Sequence, residues 1–567
     1  MFVLHAYTHT PARMSSVEAF IREVLPGAEV RVPPLPFQLF SFASLNAVAR
    51  EVLAAMDEEV RRAEESSAPY EEIILVGYSA GSLLARKLQI LIQGETKDAP
   101  FEDSEVEFEE PARPWANKVS RIILLAGMNR GWAFSSHMKW KTLAKFGAGA
   151  LLGHFLRFVT GKELMIFQTR RGAPFLTQLR LQWMAMERRV PSGRKPAMVV
   201  QLLGSIDDIV SPEDNIDLVT GRNFVYLDVP YSGHTSIIDL DENKDGNGYG
   251  QGRKEVLRVA LTGSEESLRA ESLEPVDEVP VDALSGKEDK VPPHVIFVMH
   301  GIRDEGHWTR KIARAVQREG KRIPKVYSTE TSTYGYFAML PFLLSWTRRQ
   351  KMEWLMDQYV EAKALYPDSP FSYVGHSNGT YLLAKALTSY RACRFENVVF
   401  AGSVVRRDYD WLAAKQRGQV ERLLNYVATG DGVVAAFPGS FEVFGSELGS
   451  AGHNGFRQCT KEGKDGLYEI RAVSGGHGAA IKEGNWEAIA HFIVHGKPAA
   501  ETRVKVEEKR AWWCVMLGAA APLPVVVLAV LLVTIALVIC EQPASSEWRA
   551  AILALYFACL GVILTKA

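Results

Sequence analysis

A serine hydroxyl becomes a nucleophile when an imidazole takes its proton and a carboxylate fixes and supports that imidazole. This chain carries the residue types for such an arrangement twice. Ser79 stands in Gly77-Tyr78-Ser79-Ala80-Gly81, and Ser377 stands in Gly375-His376-Ser377-Asn378-Gly379. In each turn the glycines let the backbone bend sharply around the serine, and the N–H groups of a following helix can face a developing oxyanion. Downstream of Ser79 come Asp207 and Asp208, in Gly204-Ser205-Ile206-Asp207-Asp208, and then His234 in Tyr231-Ser232-Gly233-His234. Downstream of Ser377 come Asp431, in Thr429-Gly430-Asp431-Gly432, and His477, in Ser474-Gly475-Gly476-His477-Gly478. The chemistry these types support is attack on an acyl carbonyl through a covalent intermediate.

Both serine turns need a strand before and a helix after. Residues 73–76 and 371–374 are β-type apolar runs, and helical patterns follow at 80–86 and 378–383. The chain also restarts: Phe2-Val3-Leu4-His5-Ala6-Tyr7 parallels Phe297-Val298-Met299-His300-Gly301-Ile302, and each precedes its serine by about 75 residues. Further buried-type strands at 121–125, 198–203, 397–400 and 426–428 alternate with helical stretches. Such a pattern predicts mostly parallel sheets covered by helices, repeated as whole domains. The boundaries that follow are a first α/β domain over 1–263, an acidic, proline-bearing flexible linker over 264–293, and a second domain over 294–500. A basic juxtamembrane segment over 501–510 and two apolar runs within 511–567 complete the chain.

The order Ser79, Asp207, His234, set in strand–turn–helix context, resembles the α/β-hydrolase superfamily, and its lipase and esterase branch in particular. The resemblance implies two tandem α/β-hydrolase domains with mostly parallel, doubly wound sheets. It makes Asp207 the acid of the first domain, with Asp208 as fallback. The oxyanion hole would combine the Ala80 N–H with that of Tyr7, although His5-Ala6-Tyr7 departs from the family's His-Gly. Residues 132–186 resemble a helical cap with an apolar underside suited to an acyl chain; a second small core is the alternative reading. In the second domain His300-Gly301 matches the family pattern, and Gly301 or Ile302 with Asn378 would supply the oxyanion donors. The implied second triad is Ser377, Asp431 and His477. Asp408, Asp410 and His453 compete for its roles, but the acids come soon after the serine and His453 lacks a preceding strand.

Composition removes several alternatives. With 65 basic and 66 acidic residues the net charge is -1, so nothing points to nucleic acid. Of five cysteines, only Cys393 and Cys459 lie outside the apolar tail, which argues against a disulfide framework. The start of the chain lacks the basic and small-residue signals of a cleavable leader. Asp241 to Gly248 imitates a calcium loop, yet Gly252 stands where a bidentate glutamate is needed. No metal or organic cofactor is expected.

Residues 511–540 are uncharged and long enough to span a bilayer, and 550–565 form a second, shorter apolar run, so two transmembrane helices in a C-terminal hairpin are expected over 511–567. Arg503, Lys505, Lys509 and Arg510 before the first run place both termini, and both hydrolase domains, on the cytoplasmic side of the membrane. The expected function is a membrane-anchored serine hydrolase of carboxylic esters, with lipid or long acyl-chain esters as substrates. The alternative is that one or both domains are non-catalytic binding or regulatory modules at the membrane.

Overall fold

In the computed structural model the described residues are 1–94, 111–133, 160–188, 197–207, 217, 223–241, 248–273, 293–302, 308–323, 326–330, 342, 345–435 and 447–499, with part of 512–556. They form two compact units. Unit 1 comprises Met1–Gly286 with Met356–Leu365, and unit 2 comprises Lys287–Leu355 with Tyr366–Ala567.

Unit 1 is built on a five-stranded sheet with spatial order β1-β2-β3-β4-β5, every pair parallel. The strands are β1 (Phe2–Leu4), β2 (Ile73–Tyr78), β3 (Val119–Leu125), β4 (Met198–Gly204) and β5 (Phe224–Val229). All six residues of β2 are buried, as a strand covered on both faces requires. One face packs Val3, Ile74, Val76, Ile123 and Val200 against Phe20 of the helix Ser15–Val24 and Leu257 of the helix Tyr249–Thr262. The helices Leu45–Glu65 and Ala80–Gln93 belong to the other layer, where Leu75, Ile122 and Leu124 are buried.

Unit 2 repeats the plan with six parallel strands in the order β11-β10-β9-β8-β6-β7. They are β6 (His294–Met299), β7 (Tyr327–Glu330), β8 (Phe371–His376), β9 (Phe395–Ala401), β10 (Val420–Ala428) and β11 (Leu467–Val473). The chain steps outward from β6 to β7, then returns across β6 to β8. That reversal opens a crevice at the carboxyl ends of β6 and β8, where open α/β sheets place their sites. Unit 1 makes the same reversal in reduced form, because a single bridge from Phe2 to Arg31 stands where unit 2 has β7. Register matches too: Leu4 lies level with Gly77 and Met299 with Gly375.

Several expectations change. The acidic run from 264 is not linker at its start. Ser264 caps a helix, Glu265–Glu271, by accepting from the Ser267 N–H at 3.2 Å, and Leu268 is buried in the unit 1 core. Two glutamates at a helix N-terminus favour the dipole, so their charge signals a helix start and not a solvated tether. Residues 274–292 lie outside the described residues, as do 134–159 of the expected cap, most of the 334–346 aromatic stretch and 242–247 of the calcium-like loop. The expected second domain also loses Met356–Leu365 to unit 1. Within that segment Asp357 accepts from Arg180 at 2.7 Å and from Arg130 at 2.8 Å.

The described part of the expected cap, the helix Pro174–Arg188, buries charge as well as apolar surface. Lys87 donates to Gln182 at 2.6 Å, the Arg86 guanidinium lies 5.0 Å from the centre of the Trp183 ring, and Arg180 pairs with Asp217 at 2.8 Å. Burial alone would push the Asp217 carboxyl up, but Arg180 and Arg86 outweigh it and hold the group below its ordinary range.

Among the described residues no helix is long and apolar enough to cross a membrane, so the expected transmembrane hairpin finds no support there. The tail does contain a helix, Pro522–Glu541, with Val530, Leu531 and Val533 exposed, and Tyr556 donates to the Leu532 carbonyl at 3.2 Å.

Arg180→Ala should lower the stability of unit 1 by about 3–5 kcal/mol, because it removes the bonded partner of the buried Asp217 carboxylate and leaves Arg86, 3.7 Å away, to offset its charge. Arg62→Ala, on an exposed helical pair, should cost about 0–1 kcal/mol. Urea unfolding midpoints of the two variants test the contrast.

Candidate active site

The two serines occupy nearly identical and unusual backbone positions. Ser79 has φ 53° and ψ -116°, and Ser377 has φ 52° and ψ -119°. A side chain at such angles is strained by about 1–3 kcal/mol and persists only where its surroundings hold it. Those surroundings are visible. The Ser79 N–H donates to Leu125 O and the Ser377 N–H to Ala401 O, each at 3.0 Å, which ties each turn to the next strand. The glycines are needed for close approach. A Cβ on Gly77 would fall 2.7 Å from Ser82 Cα, and one on Gly379 would fall 2.7 Å from Met299 O.

In unit 1 the sequence-expected residues come together in one hydrogen-bonded chain. His234 Nε2 lies 2.8 Å from Ser79 Oγ, and His234 Nδ1 lies 3.0 Å from Asp207 Oδ2. All three side chains are buried. Asp207 reaches its place through a turn beyond β4, in which the Ile206 N–H donates to Ser232 O at 3.0 Å. That bond joins the acid loop to the histidine loop. Asp208 lies outside the described residues.

In unit 2 the assembly is only half connected. His477 Nδ1 lies 3.0 Å from Asp431 Oδ2, and Asp431 Oδ1 also accepts from the Val434 N–H at 2.9 Å. No hydrogen bond joins His477 to Ser377 among the described residues. The His477 ring lies over Gly402, where a Cβ would meet its Cε1 at 2.8 Å and its Nδ1 at 2.9 Å. Gly402, at φ 55°, follows the strand residue that accepts from the Ser377 N–H. The matching residue in unit 1 is Ala126, at φ 44°.

The competing residues have other work. Asp408 pairs with Arg406 at 2.8 Å, and Asp410 caps the helix Trp411–Gln416 by accepting from the Ala413 N–H at 3.0 Å. His453 sits in the short helix Ala451–Asn454.

The candidate oxyanion donors lie on the turns beside each serine. Ala80 and Asn378 open helices, so their N–H groups have no acceptor inside the helix. In unit 1 the Thr8 N–H is spent on Phe37 O at 2.7 Å. His5 braces this turn, with Nδ1 3.0 Å from Ala6 O and Nε2 accepting from the Leu35 N–H at 3.1 Å. Burial pushes the His5 pKa down, so the ring is held neutral as that acceptor role requires. His300 makes the same brace to Gly301 O at 2.8 Å. Gly301 itself presses on the nucleophile, since a Cβ there would lie 2.7 Å from Ser377 Cβ; Ile302 follows it in the turn.

One functional position escaped the sequence reading. The residue before each serine bonds to the carbonyl of its unit's histidine: Tyr78 Oη donates to His234 O at 3.0 Å, and His376 Nε2 lies 3.3 Å from His477 O. The only signal was that both residues are large and hydrogen-bonding where the motif allows any type.

No family model matches this chain, and no curated protein matches it. Among solved structures it is similar to the phospholipase PlaB from Legionella pneumophila, at 13% identity and TM-score 0.31, over 48% of this chain and 62% of that one. It is also similar to TT1662 from Thermus thermophilus, at 15% identity and TM-score 0.24, over 36% and 90% of the two chains. A third is the RedJ thioesterase from Streptomyces coelicolor, at 16% identity and TM-score 0.23, over 45% and 86%. The chain thus spans less than two thirds of the phospholipase it matches, and likenesses this slight assign it no activity. By its own parallel sheets, serine turns and ordered triad residues, the chain resembles the α/β-hydrolase superfamily in both units.

Tyr78→Phe removes one hydrogen bond on the His234 loop, worth about 1 kcal/mol, and should slow any reaction at Ser79 up to about tenfold. Unfolding of unit 1 should shift by no more than about that same 1 kcal/mol. Rate and unfolding midpoint, measured on the same preparation, separate positioning from folding.

Proposed function

We propose that the chain is a serine hydrolase of carboxylic esters and that unit 1 is its catalytic unit. The observation that carries this reading is the unbroken contact from Asp207 through His234 to Ser79, at 3.0 and 2.8 Å, on a serine held at φ 53°. Ser79 attacks the acyl carbonyl while His234 Nε2 takes its proton, and Asp207 stabilises the imidazolium. The negative oxygen of the tetrahedral intermediate is met by the Ala80 and Tyr7 N–H groups. His234 then protonates the leaving alcohol. Water, deprotonated by the same histidine, releases the acid and restores Ser79.

Unit 2 reads differently on one specific observation. Its histidine leans over Gly402 and does not bond Ser377, so unit 2 is proposed as a binding or regulatory module that keeps the hydrolase scaffold. Lipid or long acyl-chain esters are the proposed substrates, with the apolar tail holding the chain at a membrane and both units on its cytoplasmic side. The uncharged run before Glu541 and the basic residues ahead of it support that part of the reading.

Hydrolysis of p-nitrophenyl esters of increasing acyl length, in detergent-solubilised full-length protein, tests the proposal. Asp207→Asn and Ser79→Ala should each lower kcat by about 10⁴-fold, whereas Ser377→Ala should retain it. Turnover that survives Ser79→Ala, or disappears in Ser377→Ala, would contradict the assignment. Equal turnover of acetyl and long-chain esters would contradict the lipid preference.

A further inference from the structure

Unit 2 carries a second group of chemically capable side chains, well away from its serine. Glu319 lies in the last turn of the helix Thr309–Lys321, and His491 and His495 lie one turn apart on the helix Trp486–His495. The spacing of four residues puts both imidazoles on one face of their helix. Their ring centres are 4.4 Å apart, and His495 Nε2 lies 2.9 Å from Glu319 Oε1. One ligand-type atom from each of the three residues falls within 4.8 Å of the others. The two helices pack together over the same sheet face through Ile312, Val316, Ile489 and Phe492.

We propose that Glu319, His491 and His495 form a binding site for a divalent transition metal of the zinc type, clasping the helices Thr309–Lys321 and Trp486–His495. Two imidazoles and a carboxylate are the nitrogen and oxygen donors that such ions take, and a water would fill the fourth position on the exposed side. His491 is already set for the role. Its Nδ1 lies 3.0 Å from Lys497 O, so the ring donates there and keeps Nε2 as its acceptor nitrogen. The Nε2–H of His495 now faces Glu319 Oε1; an entering ion takes that place on Nε2, and the proton passes by way of solvent to Nδ1 of the same ring. Bonds of about 2.0–2.1 Å bring tetrahedral ligand atoms to about 3.4 Å apart. That contraction falls to His491 and His495, which are not fully buried and can rotate. Arg322 competes for the carboxylate, at 2.7 Å from Glu319 Oε2, but its side chain is 72% exposed and can swing away.

The place of the site argues for a structural ion. Asn397, near the start of β9, donates to Ile493 O at 2.8 Å, and a Cβ on Gly496 would meet Arg422 near the start of β10. The cluster therefore lies at the amino ends of the strands, whereas Ser377 follows the carboxyl end of β8. The ion would brace two helices and take no part in acyl chemistry.

The test uses full-length protein in detergent, stripped with a chelator and titrated with Co²⁺ alone, followed by its tetrahedral absorption bands and by the melting temperature of unit 2. One equivalent of tetrahedral Co²⁺ is expected, displaced by Zn²⁺, with a rise in melting temperature. His491→Gln and Glu319→Gln should each weaken binding by about tenfold or more and abolish the rise, while Arg322→Ala should strengthen binding. His491→Gln leaves the Glu319–His495 bond in place, and its circular dichroism and its ester hydrolysis should match wild type, so a loss of binding is not a loss of fold. Absence of a tetrahedral spectrum in wild type, or the same spectrum and affinity in His491→Gln, would overturn the site and leave an ion pair only.

Discussion

The structure turns on a strained serine wedged between a strand and a helix. A non-glycine residue near φ 53° and ψ -116° is unstable alone, and nothing local to Ser79 or Ser377 favours it. What enforces it is the approach of neighbouring backbone. Gly81 packs against Leu4 and His5, and Gly379 packs against Met299 and His300, so the start of each helix can sit on the strand next door. The sheet order follows from the same demand. β1 must lie beside β2, and β6 beside β8, for the oxyanion turn to face the nucleophile.

Two units that share this constraint to within a few degrees differ at the histidine. In unit 1 the residue after the Ser79 N–H acceptor is Ala126, and His234 stands against Ser79. In unit 2 its counterpart is Gly402, and the His477 ring settles over it while keeping its bond to Asp431. The connected triad thus has alanine at this position, and the disconnected one has glycine. The scaffold survives in both because the serine turn is held by strand and helix packing and not by the histidine. The carbonyl bonds from Tyr78 and His376 show that the histidine loops are tethered in both units, so the difference lies in the ring and not in the loop's attachment.

Much of this was legible in the residues. Continuous apolar runs ending in Gly-x-Ser-x-Gly located β2 and β8, because a strand buried on both faces has no polar alternation to hide it. The restart at Phe297 located the second sheet. What escaped was charge that performs packing. Glu265 and Glu266 were read as solvated linker and are the first turn of a capped helix. The helix over 174–188 was read as apolar cap, yet Arg180 and Asp217 make an ion pair that no periodicity announces, since the partners are far apart in sequence. Asp357, on the helix Ser345–Leu365, pairs with arginines more than 170 residues away, which no local pattern announces. Tyr78 was invisible for another reason: its role is a bond to a main-chain carbonyl, which leaves no pattern in residue types. The Glu319, His491 and His495 group was hidden likewise, because only the docking of two helices unites its halves.

The central claim is that one serine of the two is an activated nucleophile. The most direct measurement is the intact mass and peptide map of the full-length protein after exposure to a fluorophosphonate, which modifies a serine only where a histidine activates it. A single adduct per chain, located at Ser79 and absent from Ser377, is the predicted result. An adduct at Ser377 alone, or a folded protein that takes up none, would contradict the account.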